Sequence, residues 1–375
     1  MSKKIMVVFG TRPECIKLAP VVAALQARPA EFETIVCSTG QHREMLAQAL
    51  ATFDLAVDIN LDVMRPDQTL PGLTAALLTA LSAAIAEAKP DRIVVQGDTT
   101  TAFAGALAGY YAKVPVAHVE AGLRSFDRYS PFPEEINRRM VASLADLHFP
   151  PTPRAAEALR KEDVPEASIH LTGNTIVDAL LSLKARLDTP DGLKSVSERV
   201  QKIVASSHGL ILVTCHRRES FGDDLAAICR AVRRVAIAHP ERQVVFPVHL
   251  NPNVRAQAVP LLGGQANIDL CEPVSYEDMI YLLSRAALVL SDSGGIQEEA
   301  PSFGVPVLVL RWKTERPEGI EAGVAELVGA DEELIVARAA HWLGAESAPL
   351  KGAIVNPYGD GLAAIRIADL LGQSS

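Results

Sequence analysis

The sequence predicts an α/β fold made of two Rossmann-like doubly wound domains facing across a cleft. Three observations carry this. Short apolar runs rich in Val, Ile and Leu alternate with helix-length segments along the whole chain, which implies parallel strands joined by crossover helices. The alternation loosens once, in LDTPDGLKSV at 187–196, and then restarts; Pro, Gly and charge together mark a boundary. The turns after the apolar runs are polar in both halves, and ligands of open α/β sheets bind at that end. At 375 residues the chain is too long for one typical core. The expected domains are 1–187 and 188–356, with a final helix in 357–375 returning to the first.

In the first half, Ile5–Phe9 reads as a buried strand, followed by the turn Gly10-Thr11-Arg12-Pro13-Glu14 and a helix through Lys17 and Leu25. Ile35–Ser38 is the next strand, ending in Thr39-Gly40-Gln41-His42, and the helix after it carries Met45, Leu46 and Leu50. Leu70–Ala88 is a long Ala/Leu-rich helix. Arg92–Val95 is a strand that leads into Gln96-Gly97-Asp98 and three threonines. A helix to Tyr111, a strand at Val114–Val119, a polar loop from Glu120 to Pro133 and a helix with Glu134 and Arg138 complete the pattern. In the second half, strands at Leu210–Val213, Val244–Val248 and Ile268–Leu270 lead into Thr214-Cys215-His216-Arg217, His249-Leu250-Asn251 and Cys271-Glu272-Pro273. A helix at Glu332–Trp342 and the segment Asn356-Pro357-Tyr358-Gly359-Asp360-Gly361 precede the last helix.

The stretch from Ala286 to Leu310 is the most informative. Two apolar strands, Ala286–Leu290 and Val305–Leu310, enclose Ser291-Asp292-Ser293-Gly294-Gly295 and one helix-length segment, a βαβ unit. Glycines at a helix start let backbone N–H groups approach an anion, and the helix dipole adds partial positive charge, so Ser293, Gly294 and Gly295 form a candidate phosphate cradle. Ile296, Ala300 and Phe303 should face the sheet, and Pro301 should kink or end the helix. Glu298 and Glu299 follow directly; a carboxylate there can accept both hydroxyls of a ribose. Adjacent helix positions diverge by about 100°, so one of the two should point at the ligand. The plainer reading is that both acids complement the helix start.

Hydrophobic content of 49% and charged content of 22% are those of a globular enzyme. The net charge of −9 argues against a nucleic-acid or anionic-membrane surface, so neither is an expected partner. Five scattered cysteines form no C-x-x-C pair and signal neither a disulfide framework nor zinc. No apolar run is read as long enough to span a bilayer, the start of the chain is too short for a signal peptide, and the cytoplasm is the expected compartment.

The turns after the strands offer Arg12, Lys17, Gln41, His42, Asp98, His118, Glu120, Arg124, Glu134 and Arg138 in the first half, and His216, Arg217, His249, Ser293, Glu298 and Glu299 in the second. Acids gather in one half, basic groups and the cradle in the other. That division suits a nucleotide held by the second domain and chemistry supplied by the first. Each residue also has an ordinary reading. Asp98 before threonines is a candidate helix N-cap. His118 and Glu120 share a strand face, and H-x-E invites a metal, but spacing places no third ligand and no metal is expected. Glu134 and Glu135 after Pro133 favour a helix start, and Arg138 is placed for a surface pair with Glu134. His216-Arg217-Arg218-Glu219 reads equally as a solvated charge run.

The motifs FGTRPE with Lys17, TGQHREML, GDTTT, HVEAGLRS, SPFPEEINRR, GNTIVDALL, HRRESFG, PVHLNPNVR, SDSGGIQEEAPS, TERPEG and NPYGDG follow one another from Phe9 to Asp360. In that order they resemble the non-hydrolysing UDP-N-acetylglucosamine 2-epimerases of bacteria. The resemblance implies a GT-B-like pair of domains with the active site between them, and interconversion of UDP-N-acetylglucosamine and UDP-N-acetylmannosamine. It makes Asp98, Glu120 and Glu134 the catalytic carboxylates, with Arg12, Lys17, Arg138 and His216 supporting binding or catalysis. Ser293, Gly294 and Glu299 match positions that hold the diphosphate and ribose; Gly295 and His249 are expected beside them. Family members bind a second UDP-N-acetylglucosamine beside the active site, in the region where Gln41, His42 and Arg43 fall. No cofactor is expected, and a homodimer is the expected assembly. The chain departs from the family pattern at Gln96, where many members have His; at Cys215, where Gly often precedes His-Arg-Arg; and at Trp312-Lys313, which replaces a smaller polar pair.

Inverting C2 breaks a C–H bond with no adjacent carbonyl. Transient oxidation by a nicotinamide is one route, but no strand is followed by G-x-G-x-x-G. Departure of UDP is the other, because oxocarbenium character at C1 acidifies the C2 proton. A UDP-sugar glycosyltransferase, a hydrolytic epimerase that releases UDP, and a catalytically silent nucleotide-sugar sensor are the rival readings. The first needs an acceptor groove that the sequence does not identify, and the last is expected to have lost one of the three acids.

Overall fold

The computed structural model describes the chain except residues 1, 41–42, 66, 208, 216–221, 249–251, 345–354 and 374–375 and the side chains of 43–45 and 252–253. It divides into two compact units, Met1–Ala179 with Tyr358–Ser375, and Leu180–Pro357. Each holds one six-stranded parallel sheet. Two Rossmann-like domains of this kind are the make-up of a GT-B-like fold.

The first unit runs β1 (Lys3–Phe9), α1 (Arg12–Gln26), β2 (Phe32–Ser38), α2 (Arg43–Thr52), β3 (Ile59–Asn60), α3 (Leu70–Ala88), β4 (Arg92–Gln96), α4 (Thr100–Ala112), β5 (Val116–Val119), α5 (Glu134–Leu144), β6 (Leu147–Phe149), α6 (Pro153–Arg160) and the start of α7 (Thr175–Leu187). Strand order is β3-β2-β1-β4-β5-β6. The strands β1 and β4 are buried along almost their whole length, as continuous apolar runs covered on both faces must be. Met6, Val8, Ile93 and Val95 join Leu77, Leu81 and Ala104 in the core beneath α3 and α4.

The helix α3 corrects one sequence expectation. By length and composition its 19 residues could cross a membrane. In the fold Leu73, Leu77, Leu81, Ala84 and Ile85 are buried and the helix lies along α4. The buried residues keep to one stripe at i, i+4 spacing, and only 28% of the apolar stretch is buried in this fold, so packing within the unit accounts for part of its apolar character.

The second unit continues with α8 (Glu198–Ser206), β7 (Leu210–Thr214), α9 (Asp223–Ala238), β8 (Gln243–Pro247), α10 (Pro252–Leu262), β9 (Ile268–Cys271), α11 (Tyr276–Arg285), β10 (Ala286–Ser291), α12 (Gly294–Glu299), β11 (Val307–Val309), α13 (Pro317–Glu321), β12 (Ala325–Leu327) and α14 (Glu332–Leu343). Its strand order is β12-β11-β10-β7-β8-β9. The last helix, α15 (Ala363–Gln373), belongs to the first unit. It packs on α1, with Arg28 paired to Asp369 at 2.5 Å and Lys3 Nζ donating to the Gly372 carbonyl at 2.7 Å. The division between units falls inside α7, between Ala179 and Leu180.

Both sheets have the doubly wound order, with one place where the winding direction reverses. In the first it lies between β1 and β4, in the second between β7 and β10. The crevice outside the carboxyl ends of such a strand pair is where this architecture binds ligands.

Candidate active site

In the first unit the turn after β1 passes through Gly10. A Cβ there would meet Thr39 Oγ1 at 2.3 Å and Thr101 Oγ1 at 2.4 Å, so only glycine lets the turn lie against β2 and α4. Thr11 then caps α1 in a capping box with Glu14. Arg12, half-buried, opens the helix, and Lys17 follows one turn on.

The turn after β4 carries Asp98. Here the ordinary reading fails: the N-cap of α4 is Thr99, whose hydroxyl accepts from Ala102 N at 3.0 Å. Asp98 is left to Arg138, whose Nη2 lies 2.6 Å from its Oδ2. Arg138 does not make the surface pair with Glu134; its second carboxylate is buried Glu135, at 3.6 Å. Glu134 opens α5 after Pro133, half-buried, and its side chain makes no hydrogen bond or ion pair among the described residues. The backbone of the Asp98 turn is held as well. Asn137 Nδ2 donates to the Asp98 carbonyl at 3.0 Å and His118 Nε2 donates to the Gly97 carbonyl at 2.7 Å. Burial pushes the His118 imidazole down to about 3, against the opposing effect of that hydrogen bond. The imidazole is therefore neutral, with its proton on Nε2.

His118 and Glu120 do not share a strand face. The strand β5 ends at Val119, and Glu120 takes a left-handed backbone with φ 62°, which costs a non-glycine residue roughly 1–2 kcal/mol. This turns Glu120 onto Lys17 Nζ, a partly buried ion pair. Its Oε1 also comes within 3.9 Å of where a Cβ on Gly97 would stand. With His118 on a carbonyl and Glu120 on an ammonium, each side chain of H-x-E has a partner of its own. The strand ends of the first sheet thus bring together Asp98 with Arg138, Glu120 with Lys17, and Glu134. Arg124 is not among them. It is buried in a bidentate pair with Glu162 at 2.9 and 2.6 Å.

Sequence reasoning left Glu14, Asn137 and Thr99 off the list of site residues and read Glu135 only as a helix-start acid; Glu14 and Thr99 join the two turns, Asn137 holds the Asp98 carbonyl and Glu135 pairs with Arg138. Only Glu14 had a signal: Thr11-Arg12-Pro13-Glu14 fits the capping-box pattern. Glu14 is 1% exposed, and burial raises its carboxyl above the usual range, opposed by hydrogen bonds from Thr99, Thr11 and Gly10.

In the second unit the carboxyl ends of β7 and β10 are tied by Thr214 Oγ1 and Ser291 Oγ at 2.7 Å. Ser291 Oγ also accepts from Ser293 N at 3.0 Å, which shapes the loop. Ser293 is the N-cap residue of α12 but its side chain makes no capping bond. The six-residue α12 gives way at Ala300 to a 3-10 turn containing Pro301, which ends at left-handed Gly304. Ile296, Ala300 and Phe303 are buried, as their spacing requires. The two acids separate as adjacent helix positions must. Glu298 is buried on Arg316 at 2.7 Å, while half-buried Glu299 brings Oε1 to 3.9 Å from a Cβ position on Gly295. Gln297 fixes the loop further, donating to the Ser293 carbonyl at 3.1 Å and accepting from Thr314 Oγ1 at 2.6 Å.

Cys215 donates to buried Asp292 at 3.4 Å. The exposed Trp312 ring lies against Gly329, where a Cβ would meet it at 2.5 Å. Burial pushes the thiols of Cys15, Cys37 and Cys229 up to about 12, as suits packed rather than nucleophilic cysteines. Gln41, His42, His216, Arg217 and His249, and the side chain of Arg43, lie outside the described residues.

Two Rossmann-like domains, one with acids and cations gathered at its strand ends and the other with a glycine loop opening a helix, define the class: a two-domain protein of GT-B-like fold. A family model described as UDP-N-acetylglucosamine 2-epimerase matches residues 23–372. A probable UDP-N-acetylglucosamine 2-epimerase of Ralstonia solanacearum is 50% identical over 366 residues, 97% of each chain. Among solved structures, a putative UDP-N-acetylglucosamine 2-epimerase from Listeria monocytogenes superposes with TM-score 0.90 at 43% identity, covering 99% of this chain and 96% of that one. The Neisseria meningitidis UDP-GlcNAc 2-epimerase, solved bound to UDP-GlcNAc, gives 0.87 at 42%, covering 99% and 100%. The chain belongs to the UDP-N-acetylglucosamine 2-epimerase family.

Proposed function

We propose that this chain interconverts UDP-N-acetylglucosamine and UDP-N-acetylmannosamine without net hydrolysis, by eliminating UDP and adding it back. The observation that carries the proposal is the set of three acids at the strand ends of the first sheet: Asp98 facing Arg138, Glu120 facing Lys17, and Glu134. Acids in numbers are what proton removal and return at one carbon need. The relative solved with UDP-GlcNAc bound supports the choice of substrate.

In the proposed reaction the C1–O bond breaks and its electron pair leaves with UDP. Oxocarbenium character at C1 acidifies the C2 hydrogen, and a carboxylate takes that proton, leaving a 2-acetamidoglucal. A second acid gives a proton to the opposite face of C2 as a UDP oxygen returns to C1. Two proton-transfer groups are therefore needed, with Asp98, Glu120 and Glu134 the candidates. Arg12 and His216 are assigned to charge building on the leaving diphosphate, where positioned cations lower the barrier most. The nucleotide is assigned to the second domain, with diphosphate at Ser293, Gly294 and Gly295 and the ribose on Glu299. Glu299 is the acid that the family resemblance assigns to the ribose; its neighbour Glu298 is buried on Arg316. His249 is assigned to substrate binding from the sequence alone.

The test is turnover in D₂O with no added cofactor or metal. Product carrying deuterium at C2, with UDP still attached, is the expected result. A C2 hydrogen wholly inherited from the substrate rules out elimination. Accumulation of free sugar and UDP in step with turnover would make the enzyme hydrolytic.

A further inference from the structure

The buried carboxyl of Glu14 does more than a capping box requires. Such a box needs one bond, from the glutamate back to the N-cap N–H. That bond is present, from Thr11 N to Glu14 Oε2 at 2.7 Å. The same oxygen also accepts from Gly10 N at 3.1 Å. The other oxygen, Oε1, accepts from the Thr99 hydroxyl at 2.6 Å, 85 positions along the chain. Thr99 is itself the N-cap of α4. One side chain at 1% exposure therefore joins the N-caps of two helices, those that follow β1 and β4.

These are the two turns at the reversal point of the first sheet, and each carries a charged residue of the proposed site. Arg12 follows Thr11, and Asp98 precedes Thr99. The Asp98 turn is gripped from two further sides, by Asn137 on its own carbonyl and by His118 on the carbonyl of Gly97. Neither reaches the β1 turn. Among the side chains described above, Glu14 is the one that bonds to both. Its bonds end on two backbone N–H groups and a hydroxyl, so its role is to hold position rather than to meet a substrate.

We propose that Glu14 is a positioning residue of the epimerase reaction, setting the Arg12 turn against the Asp98 turn through its link to Thr99. The inference rests on the reading of Asp98 as an acid–base group. A displacement of about 1 Å in such a group costs up to roughly a hundredfold in rate, while substrate binding contributed from elsewhere is little affected.

The experiment measures kcat and KM for the full chain, at a temperature where circular dichroism shows each protein folded. The set is wild type, Glu14→Ala, Glu14→Gln, Thr99→Val, the Glu14→Ala/Thr99→Val double variant, and Asp98→Asn as reference. Glu14→Ala is expected to lower kcat by about tenfold to a hundredfold, with KM within about threefold. Glu14→Gln keeps an acceptor and the shape and is expected to recover most of the loss. Thr99→Val removes the link without touching Glu14 and is expected to lower kcat likewise. The double variant should lose less than the two single losses combined, because both cut the same connection, while each also removes a bond of its own. Fully additive losses, or kcat at the wild-type level in folded Glu14→Ala, overturn the proposal. So does a loss that appears only in KM. If Glu14→Ala does not fold, Thr99→Val with normal kcat overturns it alone. Asp98→Asn separates the two levels: if it turns over normally, the acid–base reading fails and the inference falls with it; if it is inactive while folded Glu14→Ala keeps the wild-type kcat, only the inference fails.

Discussion

Arg138 Nη2 stands 2.6 Å from Asp98 Oδ2, although Glu134 lies one helical turn before it on the same helix. A guanidinium with 12% of its side chain exposed is held across the gap between α5 and the β4 turn. Replacing it by methionine keeps the length of the stem and removes the charge. Arg138→Met is expected to lower kcat by about tenfold to a hundredfold, with Arg138→Lys intermediate because a single ammonium loses the fork geometry. Steady-state kinetics of both variants checks this, and equal rates for Arg138→Met and wild type would remove Arg138 from the site.

The three acids make a separate prediction. Asp98→Asn, Glu120→Gln and Glu134→Gln should each reduce turnover by roughly a hundredfold or more, the usual effect of losing a positioned proton-transfer group. Loss of C2 deuterium exchange from D₂O should accompany the loss of turnover. An acid whose replacement leaves exchange intact is not a proton-transfer group at C2.

Glu298 and Glu299 are predicted to fail in different ways. Glu299→Ala should weaken UDP binding in calorimetry by about tenfold, the order expected for a charged hydrogen-bond acceptor, and leave the unfolding transition in place. Glu298→Ala strips the buried partner from Arg316 and should cost about 2 kcal/mol of stability. Interchanged results would assign the ribose to Glu298.

Two buried imidazoles set a pH dependence of stability. Burial lowers His118 to about 3 and His148 to about 4, against an ordinary 6.5. Between pH 6.5 and 4 the unfolded chain binds more protons than the folded one, so stability rises with pH across that window. The contribution is complete above the unfolded value and is lost on acidification, at about 1.4 kcal/mol per pH unit for each imidazole. Glu14 and Asp178, raised by burial, act in the opposite sense. The histidine contribution is therefore read as a difference: between pH 7 and 5, His148→Asn should lose about 2 kcal/mol less than wild type in urea unfolding. Equal losses would mean that His148 binds its proton equally well in the folded and unfolded chain.

The family resemblance adds a kinetic expectation at Gln41, His42 and Arg43. UDP-N-acetylmannosamine alone should turn over with a lag that a small amount of UDP-N-acetylglucosamine abolishes. Hyperbolic kinetics from the first seconds, with no activation, would count against an effector site in this chain.

By itself the sequence determined the repeating strand–turn–helix order, the long helix Leu70–Ala88 to the residue, the early end of α12 before Pro301, and the residue types at the strand ends. These are legible because side-chain period, glycine, proline and capping residues act over a few neighbouring positions. The short strands β3, β6 and β12 were missed, since two or three residues carry no period. Tertiary structure alone decided that β1 lies beside β4 and β7 beside β10, which is what gathers the polar turns into two candidate clusters. It also chose the partners. Arg138 went to Asp98 rather than Glu134, Arg124 to Glu162, Glu120 through a left-handed backbone to Lys17, and Glu14 to Thr99. Each of those pairs joins residues far apart along the chain, and a charge in sequence says only that a partner is needed; burial of the surrounding backbone decides which one is within reach.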